Sequence, residues 1–248
     1  MASTTAWRLE GSPGEDAVAR LQRIALSPTA RAAAGMATLL AVLLVGLLVH
    51  LPQVAHRDLH ADMALARWRS PMGTALARAF TAAAKEVVGV AALAVGLTVL
   101  LIRRRLIPAA QLLLTAGIAW GAAYGIKALI DRARPPASLE LAAPDASASF
   151  PSGHTTTAAI VVVIVWFVFA GAGRFRVVAG TVALGFAGAV GVSRVYLADH
   201  YPTDVLAAFG VVLAAALLVS AVVEVLAPRL VRRAPVSVAP DAASSTRR

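Results

Sequence analysis

The 248-residue chain has no cysteine, which removes disulfides, thiolate nucleophiles and cysteine metal ligands together. It is nearly as poor in lysine: of 23 basic residues 21 are Arg, and only Lys85 and Lys127 are Lys. Charge of either sign is scarce. Charged residues make up 15% of the chain, where a soluble domain carries about 25%. That leaves too little polar surface to cover a water-facing globule, so a soluble enzyme is excluded. In its place the chain is 59% hydrophobic, against about 45–50% in soluble domains. The net charge of +10 does not point to nucleic acid, because the cations stand between long uncharged runs and not on one basic face. The composition is that of a membrane protein whose partner is the bilayer.

A helix crosses a bilayer with about 20 apolar residues, within a range of about 17–25. Reading from charge to charge predicts six such spans: Ala32 to Ala55, Val87 to Ile102, Leu106 to Ile126, Thr155 to Gly173, Val177 to Ser193, and Val205 to Val223. The second is short and is expected to extend back past Lys85. Each must be helical, since hydrocarbon offers free backbone groups no partner. The expected fold is therefore all-α, an integral membrane bundle of six transmembrane helices spanning residues 32–227. An even count puts both ends on one side. That side holds 14 of the basic residues, including the short Arg103–Arg105 and Arg174–Arg176 connections, and the other holds nine. Short basic loops are cytoplasmic, so both termini are expected in the cytoplasm and the longer loops outside the cytoplasmic membrane. Residues 1–31 read as a polar tail without a cleaved signal, and 228–248 as a disordered tail.

Between spans one and two the pattern changes. Leu59, Met63, Trp68, Met72, Leu76 and Phe80 recur at steps of four or five from Arg57 to Ala84, with arginines among them. Ser70-Pro71 is a helix start, serine as cap and proline at the first position. Two short amphipathic helices at the outer surface are expected here. Ordinary packed loop helices are the alternative.

Polar groups gather where three spans meet the outer face. Lys127, Arg132 and Arg134-Pro135 follow span three, Pro151-Ser152-Gly153-His154 precede span four, and Ser193-Arg194, His200 and Asp204 fill the last outer loop. The 38 residues between His154 and Ser193 allow one crossing inward and one back, so both segments sit in one leaflet. Lys127 and Arg134 are two helical turns apart, and His200 and Asp204 one.

These segments read K-x6-R-P, P-S-G-H and S-R-x5-H-x3-D, and together they resemble the three-part signature of the type-2 phosphatidic acid phosphatase superfamily. That superfamily includes lipid phosphate phosphatases and vanadium haloperoxidases. All three parts are present in the family order, and the layout looks like that of bacterial phosphatidylglycerophosphate or undecaprenyl diphosphate phosphatases. The resemblance implies that His200 is a nucleophile forming a phosphohistidine, that Asp204 orients it, and that His154 is the general acid and then base. It implies that Lys127, Arg134 and Arg194 hold the phosphate with Ser152 and the amides around Gly153. Pro135, Pro151 and Ser193 complete the motifs as structural members. That set suits phosphoryl transfer, which needs positioned donors around the equatorial oxygens. No metal and no other cofactor is expected, since three cations supply the electrostatics. The predicted activity is hydrolysis of a lipid phosphomonoester or diphosphate, such as phosphatidic acid, phosphatidylglycerol phosphate or a polyprenyl diphosphate.

Rival readings are a lipid phosphotransferase using the same intermediate and a catalytically silent transporter or scaffold. Absence of internal repeats and of ionisable residues inside the spans counts against transport. Asp131 and Arg132, within the unspecified part of the first motif, are read as structural, as are Tyr196, Asp199 and Tyr201. His56 and His60, with Asp58 and Asp62 between them, invite a zinc site but lack a matched third ligand, and an interfacial helix end is the better reading.

Overall fold

The computed structural model describes residues 26–141 and 147–232. Among these are eight helices and no strand: α1 (Pro28–Leu48), α2 (Pro52–Ala66), α3 (Pro71–Ala83), α4 (Glu86–Ile102), α5 (Leu106–Ile130), α6 (Gly153–Val168), α7 (Arg174–Tyr196) and α8 (Pro202–Arg232). Local chemistry sets several starts. Ser27, Ser70 and Ser152 cap α1, α3 and α6, their side chains accepting from the backbone N–H three residues on. Pro28, Pro52 and Pro71 open α1, α2 and α3, where a missing N–H breaks no helical bond.

The helices α1, α5, α7 and α8 are each long and apolar enough to cross a membrane, and α3 with α4 pass that test together across a 50° bend. The shorter α6 has 16 residues, a rise of about 24 Å. Several expected boundaries move. The run read as one span from Ala32 to Ala55 ends at Leu48, because Pro52 has no N–H to donate and holds Leu51 extended at φ −72°, ψ 132°. The second span does not run back through Lys85 as an unbroken helix: Lys85 is the N-cap of α4, and the chain continues into α3 only across the bend. Both short helices foreseen between spans one and two are present, as α2 and α3, with Ser70 and Pro71 in the foreseen cap and first positions. At the far end α8 runs on to Arg232. Of the two expected tails, residues 1–25 and 233–248 lie outside the described residues.

Packing puts α6 at the centre, against α4, α5, α7 and α8, while α1 lies along α8. Leu93 and Leu100 of α4, Leu112 of α5, Ile160 and Ile164 of α6 and Val212 of α8 form the main buried cluster. The outside is apolar too: Leu40, Leu44 and Leu47 of α1 and Val95 and Ile102 of α4 are exposed. A bundle that is hydrophobic all round needs lipid as its solvent. Small residues let helices approach. A β-carbon at Gly96 would stand 2.7 Å from Ile164 Cγ2, and one at Gly191 would stand 2.6 Å from Val205 Cγ1, the close contact typical of membrane helices. At the end of the bundle bearing the α4–α5 turn, Arg103 and Arg105 donate to the carbonyls of Val168 and Ala170. These cations satisfy acceptors left open as α6 ends.

Candidate active site

At the opposite end of α6 the three motif segments are stitched together through the backbone. The Ser149 N–H donates to the Arg132 carbonyl at 2.7 Å, and the Ser152 N–H to the Asp204 carbonyl at 3.1 Å. Phe150, fully buried against Val49, Ile126 and Ile130, anchors the loop just before the second motif. The last loop curls over the end of α7. Ala198 is in the left-handed region at φ 55°, and the N–H groups of Asp199 and His200 both return to the Arg194 carbonyl. Asp131, closing α5, is also left-handed at φ 45°. Turns of this kind are disfavoured for residues other than glycine and recur at functional sites.

A cavity of about 240 Å³ opens here, and its lining includes Lys127, Arg134, Gly153, His154 and His200. Lys127, in the last turn of α5, donates to the Ala148 carbonyl. Arg134 is braced from several directions: Nη1 donates to Asp199 Oδ1 at 2.7 Å, and Nε to the Ser147 carbonyl at 2.9 Å. The same Nη1 lies 3.5 Å from His200 Nε2. Gly153 is the first residue of α6, and a β-carbon there would meet nothing within 4 Å. Its bareness therefore keeps open the space before a helix N-terminus, where backbone N–H groups suit an anion.

His200 is buried, with Nδ1 3.4 Å from Asp204 Oδ2 and 3.3 Å from Ser149 Oγ. Burial holds its pKa down at about 4, with Arg134 and Arg194 also lowering it and Asp204 opposing them. The imidazole is thus neutral at ordinary pH. With Asp204 and Ser149 beside Nδ1, Nε2 is the nitrogen left toward Arg134 and the cavity. A neutral ring with a carboxylate behind it is the arrangement of an oriented nucleophile.

Asp204 is itself fixed. One oxygen receives Arg132 Nη1 at 2.6 Å, and the other receives the Ser149 hydroxyl and the Tyr201 N–H. Arg132 reaches on to Asp58 Oδ2 of α2 at 2.7 Å and lies over the Tyr201 ring at 3.9 Å. Asp58, Arg132 and Asp204 therefore form a buried chain from α2 to α8 that ends at the histidine. The structural reading of Arg132 and Tyr201 agrees with this packing, while Asp58 and Ser149 were missed. Their signal in the sequence is slight: one serine in a serine-rich loop, and one of two aspartates in an amphipathic helix.

Arg194 and the remaining motif residues stand behind the cavity. The Arg194 guanidinium pairs with Asp199 and donates to Thr81 Oγ1, so Asp199 bridges Arg194 and Arg134. Ser193 Oγ donates to the Val190 carbonyl, and Ser152 is occupied in capping α6. Pro135 and Pro151 are buried. Away from this cluster, His56 and His60 place their Nε2 atoms 3.1 Å apart. No group of three or more possible metal ligands occurs among the described residues.

The bundle and its cationic, histidine-bearing cavity define an all-α membrane protein with polar chemistry at one end of its helices. Residues 107–227, which contain all three motifs, match the model of the PAP2 superfamily. It resembles a crystal structure described as the first transmembrane PAP2 type phosphatidylglycerolphosphate phosphatase from Bacillus subtilis, with a TM-score of 0.70 and 26% identity. That match covers 77% of this chain and 96% of the other. No curated protein matches. The chain is thus similar to the PAP2 superfamily through its motif region, and its helical fold is similar to that of a membrane PAP2-type phosphatase.

Proposed function

We propose that the protein is a metal-independent lipid phosphate phosphatase, hydrolysing a lipid phosphomonoester or diphosphate through a phosphohistidine at the outer face of the cytoplasmic membrane. The observation that carries this reading is the neutral His200 at the cavity, backed by Asp204 and flanked by Lys127, Arg134 and His154. Nε2 of His200 attacks phosphorus while the bond to the lipid oxygen breaks, and His154 gives that oxygen a proton. Asp204 accepts from Nδ1–H and stabilises the positive charge that develops on the ring. His154 then takes a proton from water as the water oxygen attacks phosphorus. The P–N bond breaks, and inorganic phosphate and neutral His200 are left. Lys127, Arg134 and the amides beginning α6 hold the phosphoryl oxygens throughout. Ser152 and Arg194 contribute by fixing α6 and Asp199, which supports a placing role for them more than direct grip on phosphate.

The same reading takes α1, α4, α5, α6, α7 and α8 as six spans and α2 with α3 as helices at the outer surface. Both termini are cytoplasmic, and the catalytic region extends over residues 32–227. Phosphate release from lipid phosphates in detergent, with excess chelator, tests the chemistry. Wild type should release phosphate and His200→Ala should not. The acid limb of kcat/KM should fall toward pH about 4, where His200 protonates, and not near the ordinary histidine value. Release that depends on metal, or that survives His200→Ala, would overturn the mechanism.

A further inference from the structure

The cavity is not uniformly positive. Beside its cations, the described lining includes a carboxylate, that of Glu86. Glu86 is the first residue of α4 and is exposed, and Tyr124 Oη of α5 donates to its Oε2 at 2.6 Å. Tyr124 lines the cavity as well and is 53% exposed. The pair therefore ties α4 to α5 at the rim. A helix N-terminus favours an acid, which explains why a carboxylate is tolerated at Glu86. It does not make that carboxylate indifferent to what enters. The substrate brings charge of the same sign into this cavity.

We propose that Glu86 is a specificity-determining residue that favours lipid phosphomonoesters with a hydroxyl-bearing head group and disfavours diphosphates. A hydroxyl next to the phosphate donates to Oε1 or Oε2, a charge-assisted bond. A second phosphate in that place would bring further like charge against the carboxylate, a larger repulsion than the single phosphate of a monoester meets, and that difference discriminates between the two. The inference rests on the phosphatase reading above and narrows its substrate class.

Glutamine separates the two effects of Glu86, since its carbonyl still accepts from Tyr124 but carries no charge. Short-chain phosphatidylglycerol phosphate and farnesyl diphosphate are assayed with wild type, Glu86→Gln and Tyr124→Phe, each checked for monodisperse elution. Glu86→Gln should raise kcat/KM for the diphosphate about tenfold, through KM, and lower that for the monoester about threefold. Tyr124→Phe should keep the wild-type ratio. If Glu86→Gln moves both substrates alike or neither, or if Tyr124→Phe shifts the ratio as far, Glu86 is a helix tie and the proposal falls.

Calorimetric binding of orthophosphate and pyrophosphate to His200→Ala protein, with and without Glu86→Gln, reads the charge without turnover. The gain for pyrophosphate should exceed that for orthophosphate about tenfold. A preserved binding difference without any turnover by wild type would overturn the phosphatase reading and keep the charge selection. Normal turnover with flat ratios would overturn the selection alone.

Discussion

Asp62 is fully buried on α2, one turn beyond Asp58, and neither of its carboxylate oxygens has a hydrogen-bond partner. Burial, with Asp58 and Asp204 nearby, pushes its pKa up to about 8, against the opposing pull of Arg132 and Arg69. The folded protein therefore keeps this proton at neutral pH, whereas the unfolded chain releases it near 3.8. Because the folded value is the higher one, the associated stability is present below about pH 4 and is lost progressively as pH rises to about 8. Asp62→Asn removes the proton exchange and keeps the shape. In unfolding scans from about pH 5 to about pH 9, wild type should lose Tm relative to Asp62→Asn up to about pH 8 and run level with it beyond. Parallel curves throughout would mean that Asp62 ionises in the fold. The contrast with Asp58 is instructive, since the same residue type four positions earlier has Arg132 and the Thr203 hydroxyl as partners.

Helices meet at the site through small residues, and α7 approaches α8 in this way. Gly191 lets Val205 sit where a β-carbon would otherwise stand, 2.6 Å from Val205 Cγ1, and Val205 follows Asp204. Valine at 191 should cost about 1–3 kcal/mol by overpacking and should lower phosphate release by shifting Asp204 from His200. A β-carbon at Gly185 on the same helix would meet nothing within 4 Å, and Gly185→Val should leave both Tm and release near wild type. If the two variants behave alike, the close approach does not set the site.

At this scale the sequence was readable where chemistry is local. Ser70-Pro71 marked a helix start, Lys127 to Arg134 and His200 to Asp204 came together as their spacing implies, and the apolar runs matched helices. Boundaries failed where hydropathy ignores the backbone: Pro52 ends α1 within a run that contains no Asp, Glu, Lys or Arg, and the bend at Lys85 divides α3 from α4. The Asp58–Arg132–Asp204 chain was not legible either, because it joins residues 74 and 72 positions apart through a fold that periodicity does not specify.

For the molecule as a whole, the distribution of arginine becomes a statement about direction. Arg103 and Arg105 close the α6 end of the bundle at Val168 and Ala170, and Arg174 opens α7 beside them. The histidine cavity lies at the opposite end of α6, beyond a helix of about 24 Å. Positively charged short loops stay in the cytoplasm, so the cavity should face outward and take its lipid from the outer leaflet. The chain offers a clean background for testing this, since it has no cysteine of its own. Single cysteines at Arg67, in the exposed α2–α3 turn, and at Ala172, in the exposed α6–α7 turn, label opposite ends of the bundle. In intact cells a membrane-impermeant maleimide should modify Arg67→Cys and spare Ala172→Cys, and both should react once the membrane is opened with detergent. The reverse pattern would turn the active site toward the cytoplasm. Labelling of both in sealed cells would mean that the helices between them do not separate two compartments. The outward result would also put Asp62 at the external end of the bundle, because Asp58 on the same helix is paired with Arg132 at the cavity end. The pH dependence of stability would follow the pH outside the cell, and Glu86 would select among head groups displayed on that side.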